Sequence, residues 1–438
     1  MIALGVHRYT AQPPAIDLVA AYERLDKEHR EGRTPGGPAW DELVALLTDY
    51  DALRGEIIAT HLPPVKPDDL YIPAAYWEDA PYFRTDAARA LLELYAASDL
   101  PACLTALRDA DEVSPPSMIL EGAFDFTGEP SRYVNRLNYI PAAYEFVRAQ
   151  RALRGGDDNA ALESFQNAMW LGRAAGDAPS YYGFANRIEI WNGIHTTLRT
   201  EINEGHVSGR VARALLDAYA QSNASEPERT RRAIEGDRLI VREVLRRTYE
   251  EGQLPYEVEF SLDTPRILWI SHREAASMID HDAERTAALV EGAATERKPI
   301  EFTSDRYEGH FLPPPVSHVK LPHYAFTRQI WSDRAHRGMV VLALAIEVFR
   351  EEHGRVPETL SELVTTRTIQ GLPEDPYARD GAFVYAVDRE APIGYRLHSV
   401  GRDHHDDFGT VEEYSRGWDT RAMNADVVFT PIPVWPDV

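Results

Sequence analysis

Residues 325–354 read AFTRQIWSDRAHRGMVVLALAIEVFREEHG, a run without proline that closes on a glycine. Its centre, Met339 to Ile346, is apolar on nearly every side, so the segment is expected to form one long helix enclosed by several neighbours. That centre falls far short of the roughly 20 apolar residues a membrane-spanning helix needs. Beyond Gly354 the texture changes to short runs, AFVYAV at 382–387, GYRLHSV at 394–400 and DVVFTPIPV at 426–434, which read as strands. A long helix laid on a small antiparallel sheet buries the apolar face of both.

Upstream, most of residues 12–295 carry the apolar period of helices, punctuated by proline, glycine and aspartate. In DNAALESFQNAMWLGRAAGD, 158–177, Leu162, Phe165 and Met169 recur at helical spacing, and the flanking GGDD and GDAPS are turns. The next helix places Ile188, Trp191, His195, Leu198 and Ile202 in one apolar stripe, which makes His195 a satisfied core histidine rather than a metal ligand. Helix, short turn, helix, turn resembles the hairpins of tetratricopeptide-type arrays, though without a strict period of about 34 residues. The expected fold is mainly α: a helical-hairpin, tetratricopeptide-like layer over 1–322, then a small α+β domain with an antiparallel sheet over 323–438. The boundary falls at the end of EFTSDRYEGHFLPPPVSHVKLPHY, 301–324, which like HLPPVKPDDLYIPAAYWEDAPYF, 61–83, is too rich in proline for helix interior.

Seventy acidic against 46 basic side chains leave a formal charge of -24. Nucleic acid and anionic membranes would be repelled over most of such a surface, and neither is expected as a partner. Cys103 is the only cysteine, which leaves no intramolecular disulfide and no cysteine zinc cluster; within DLPACLTALRDA it reads as a small buried residue. The start, MIALGVHRYTAQPPAID, lacks the basic and apolar regions of a signal peptide, and this points to a soluble, cytoplasmic chain with no membrane span.

The densest chemistry lies in YRLHSVGRDHHDDFG, 395–409, with three histidines and three aspartates. Tyr395, Leu397 and Ser399 alternate with Arg396, His398 and Val400 as a strand that ends at Gly401, and the loop beyond supplies carboxylates. Upstream, HGRVPETLSELV closes the long helix at Gly354 and starts another after Pro357 with Leu360 and Leu363 inward. LPEDPY is a proline-bracketed turn in which Asp375 can bond its own backbone.

Four pieces in order, EEHGRVPETLSELV, GLPEDPYARDGAFVYAV, GYRLHSVGRDHHDD and NADVVF, resemble the globular part of type II secretion major pseudopilins. The whole chain resembles bacterial helical proteins with a pseudopilin-like tail. The resemblance implies a calcium site in which Leu397 and Ser399 offer carbonyl oxygens, Asp403 a carboxylate and Asp426 a later carboxylate. Asp406 and Asp407 would complete a shell of about 6 to 8 hard oxygen ligands. Here His404 and His405 stand where the family has a glycine, and 408–424 is inserted before Asp426. The module is also internal, so the resemblance does not imply a pilus subunit. It does imply the periplasm or cell envelope, against the cytoplasm read from the N-terminus.

Imidazole suits transition metals better than calcium, so His398, His404 and His405 with Asp403 form a rival zinc set, and an unmetallated acidic turn is a third reading. In SHREAASMIDHDAERTAALV, 271–290, His272 and His281 sit about two and a half helical turns apart and face opposite sides, as in a solvated helix laced with ion pairs. No nucleophile elbow, phosphate loop or dinucleotide glycine pattern is present. The expected function is a non-catalytic scaffold or protein-interaction protein with a structural calcium-binding C-terminal module and a protein partner. A metal-dependent hydrolase using the His/Asp-rich loop and an envelope component related to secretion machinery are the rival readings.

Overall fold

The computed structural model describes residues 17–29, 34–35, 41–43, 45–46, 48–49, 53, 86–110, 113–114, 130–177, 179–222, 226–246, 272–295, 323–401 and 427–429. They are mainly helical, with a small antiparallel sheet. Helix α1 spans Leu18–His29, and strand β1, Thr34–Pro35, pairs in parallel with β2, Val113–Ser114. Between them in sequence lie α2, Asp86–Ala97, and α3, Leu100–Ala110. Then come α4, Pro130–Arg154, α5, Asp158–Ala175, α6, Tyr181–Asn203, and α7, Gly209–Ser222. Two more helices, α8, Glu226–Arg246, and α9, His272–Thr295, precede α10, His323–His353, and the short α11, Ser361–Thr365. Strands β3, Val384–Val387, β4, Tyr395–Ser399, and β5, Val427–Val428, form the antiparallel sheet in the order β3-β4-β5. The proline-rich stretch 61–83 and the loop 402–426 lie outside the described residues, as does 301–322.

The GGDD turn ends one helix and begins the next. Gly156 takes φ +72°, the Asp157 N–H reaches the Ala152 carbonyl at 2.8 Å, and the Asp157 carboxylate accepts the Ala160 N–H at 3.1 Å. Gly205, at φ +75°, closes α6 in the same way through the His206 N–H on the Glu201 carbonyl at 2.9 Å. These tight turns let α4 pack on α5 and α6, and α5 on α6 and α7.

All five residues of the stripe Ile188, Trp191, His195, Leu198 and Ile202 are buried. In α10, Met339, Val340 and Leu342 through Ile346 are buried too, and the cause is the expected one. The helix packs on α6 and α7, and also on β4, so only Val341 of its apolar centre is left half-buried. One hydrophobic cluster runs from Phe165 through Trp191 and Leu215 to Leu344, Tyr395 and Phe429, joining residues on both sides of Pro322. Among the described residues no helix is long and apolar enough to cross a membrane.

In the sheet, Tyr385 lies opposite Leu397, and β5 pairs Val428 with His398 and Val427 with Ser399. Tyr395, Leu397 and Ser399 are buried as their alternation predicts. His398 belongs to the other face and is nevertheless buried, because β4 is the central strand and the LPEDPY turn closes over its end. Asp375 takes the Tyr377 N–H at 2.9 Å, the Ser399 hydroxyl at 2.8 Å and the Val400 N–H at 3.3 Å.

Candidate binding cleft

Of the residues assigned to calcium by resemblance, Leu397 and Ser399 lie in β4. Asp403, Asp406, Asp407 and Asp426, like His404 and His405, lie outside the described residues. The Leu397 carbonyl accepts the Phe429 N–H at 3.0 Å, and the Ser399 hydroxyl is engaged by Asp375. Asp280, in the helix expected to carry ion pairs, bridges Arg238 at 2.8 Å and Arg242 at 3.0 Å, both on α8. Cys103 is half-buried; burial, and then Glu42, pushes its thiol up to about 11, which leaves little nucleophilic thiolate at neutral pH.

Glu201, Glu204 and His206 place ligand-type atoms within 4.8 Å of one another. The site is already filled by a cation of the chain itself. Arg154 Nη2 lies 2.9 Å from Glu201 and 3.1 Å from Glu204, while Gln150 donates to Glu201 at 2.8 Å and His206 Nδ1 sits 2.8 Å from its other oxygen. A metal ion there would face a guanidinium at contact distance. The cluster ties the end of α4 to the end of α6.

A cleft of about 750 Å³ opens between α7, α10 and the turn 367–374. From α7 it takes Arg213, Asp217 and Tyr219; from α10, Asp333, Arg334 and Arg337; from the turn, Arg367 and Glu374. Leu216, Val341 and Leu372 supply apolar wall. Helical spacing puts Arg213 and Asp217 on one face of α7, and Asp333 and Arg337 on one face of α10, one turn before the apolar centre. Arg213 fixes the frame: it donates to Glu352 at 2.7 Å and to the Thr368 carbonyl at 3.2 Å, binding α7 to the end of α10 and to the turn.

Behind the cleft the polar residues run into the core. Asp333 Oδ2 lies 3.9 Å from Arg337 Nε, and the Arg337 guanidinium stacks over the Trp191 ring with its carbon 4.8 Å from the centroid. The His195 and Tyr219 rings stack with centroids 5.9 Å apart, and Trp191 meets Tyr219 edge-on at 5.3 Å. His195 Nδ1 is 4.0 Å from Asp333 Oδ1, beyond hydrogen-bond reach. The expectation that His195 is a core residue is met, but it is not satisfied: neither ring nitrogen has a hydrogen-bond partner. Burial, and then the charge of Arg337, keeps its pKa well below the usual range, so the ring is neutral. Burial likewise raises the Tyr219 pKa and keeps that phenol protonated.

Sequence reading did not single out Tyr219, Asp333, Arg337 or Arg367. One signal was present: two opposite charges one turn apart, immediately before a stretch apolar on nearly every side, must meet either a cleft or a buried partner. Comparison with family models, with curated proteins and with solved structures returns no match.

Proposed function

We propose that this protein is a non-catalytic scaffold whose helical layer receives a protein partner and whose C-terminal module stiffens that layer. The observation that carries the reading is the placement of α10, which packs on α6 and α7 and also on β4. A helix shared in this way makes the layer and the module move as one body, which suits a platform better than a hinged enzyme. The short turns that stack α4, α5, α6 and α7 suit a tetratricopeptide-like arrangement, in which consecutive hairpins offer an extended surface. The module is read as pseudopilin-type on its sequence pieces, with a structural calcium ion held by the acidic loop that leaves β4. Asp375 anchors Ser399 and Val400, so that loop starts from a fixed point.

Thermal unfolding of the full chain in excess chelator, then in calcium or zinc, tests the reading, since an ion that binds only the folded state raises the midpoint. A single transition that rises with calcium, with the rise lost in Asp403→Ala, is the expected result. Two separate transitions would overturn the one-body platform. A rise with zinc but not calcium would overturn the calcium assignment.

A further inference from the structure

The cleft between α7, α10 and the turn 367–374 carries an inference of its own, independent of the scaffold reading. Four guanidinium groups and three carboxylates line it, in a chain whose formal charge is -24. That is one cation more than anions, so the recess is less hostile to an anion than the acidic surface around it. Its volume of about 750 Å³ suits a small organic molecule, and Leu216, Val341 and the exposed Leu372 suit an apolar body on that molecule.

Arg367 is the informative residue. It follows α11 at the position where the chain must turn left-handed: its N–H bonds the Val364 carbonyl at 3.0 Å and the Thr368 N–H bonds the Leu363 carbonyl at 2.9 Å. At the equivalent positions after α4 and α6 the chain uses Gly156 and Gly205. Here an arginine holds φ +61°, and it is the only non-glycine with positive φ among the described residues. Glycine takes this conformation without strain, and a residue with a Cβ does not. The Arg367 side chain is exposed, and among the described residues no hydrogen bond or ion pair holds it there. Strain retained at the rim of a cleft points to a task in the cleft.

We propose that this cleft binds a small organic molecule through an oxyanion, a carboxylate or a phosphate monoester, seated on the Arg367 guanidinium, with its apolar body against Leu216, Val341 and Leu372. A guanidinium fork matches both oxyanions with paired hydrogen bonds. Arg334 and Arg337 add positive potential on the α10 side, and Arg213 holds the turn in place.

The test uses the full chain with three probes, phenyl phosphate, benzoate and inorganic phosphate, in titration calorimetry and thermal unfolding at constant ionic strength set by sodium chloride. Saturable binding of phenyl phosphate or benzoate, tighter than that of inorganic phosphate, is expected, and the preferred probe tells phosphate from carboxylate. Arg367→Gly should raise the ligand-free midpoint by about 1–3 °C while weakening the preferred probe about tenfold or more. Arg367→Asn, which also tolerates the left-handed region, should weaken binding to the same degree. Absence of saturable binding by every probe would overturn the proposal, as would Arg367→Gly and Arg367→Asn chains that bind like the wild type.

Discussion

Asp333 holds a carboxylate oxygen 4.0 Å from Nδ1 of His195, and the imidazole lies in the core with no hydrogen bond to either nitrogen. Such a ring is stable there only as the neutral form, which burial and Arg337 enforce. The unfolded chain takes up a proton near the ordinary value of 6.5 that the folded chain refuses. The stability tied to His195 is therefore complete above about pH 6.5 and falls as pH drops below it. His336, also held below its usual range by burial, acts in the same direction. Replacing the imidazole by an apolar side chain, His195→Leu, should raise stability by about 1–2 kcal/mol at pH 7.5, because a buried polar group without partners is removed. It should also flatten the decline below pH 6.5. Denaturant unfolding at pH 7.5 and 5.5 checks both, and a less stable variant would show that the ring is engaged by a polar partner.

Glu347 works in the opposite sense. Burial raises its carboxyl from 4.5 to about 7, against the pull of Arg350 at 3.3 Å. The folded chain thus holds a proton that the unfolded chain has released. Stability from this group is present below about pH 4.5 and is lost as pH rises from there through about 7. Glu347→Gln fixes the neutral form. It should leave stability nearly unchanged at pH 4.5 and increase it by about 3 kcal/mol at pH 8. Equal changes at both pH values, measured by urea unfolding, would rule out titration of this side chain as the cause.

Periodicity was enough to read the frame. The three-and-four spacing of Ile188, Trp191, Leu198 and Ile202 and the alternation of Tyr395, Leu397 and Ser399 follow directly from which positions share a face, and burial is a property of faces. The cleft was not legible, because it depends on which faces meet. Tyr219 on α7 and Asp333 on α10 are far apart in sequence, and nothing in either helix alone states that they line the same recess. His195 shows the limit within one element: its stripe gives its burial, while its missing hydrogen bonds depend on where Asp333 stops short. Arg367 was hidden for another reason, since a helix that ends without glycine leaves no mark in the sequence.

The bridge from Arg154 to Glu201 and Glu204 gives a prediction about metal and one about stability. Zinc should produce no rise in midpoint that depends on His206, so His206→Ala and the wild type should respond alike. Glu201→Gln keeps the shape but removes the charge that accepts Arg154, Gln150 and His206. It should cost about 2 kcal/mol, the scale of lost hydrogen bonds to a buried charged group. A zinc-dependent rise abolished by His206→Ala would instead make the cluster a metal site, with Arg154 displaced.

Gly236 in α8 approaches the α5–α6 turn so closely that an added Cβ would fall 1.6 Å from the Pro179 carbonyl oxygen. Gly193 in α6 leaves room for Phe146, whose Cε2 would be 2.1 Å from a new Cβ. Inside an exposed helix, glycine to alanine stabilises by about 1 kcal/mol, so a reversed sign is diagnostic of contact. Gly236→Ala should destabilise by about 3 kcal/mol, since backbone must move, and Gly193→Ala by about 1–2 kcal/mol, since a ring must shift. Phe146→Leu shortens the obstructing side chain. In that background Gly193→Ala should lose most of its penalty, a coupling that a double-mutant cycle of unfolding free energies measures directly. Additive effects would mean that α4 and α6 do not meet at this pair.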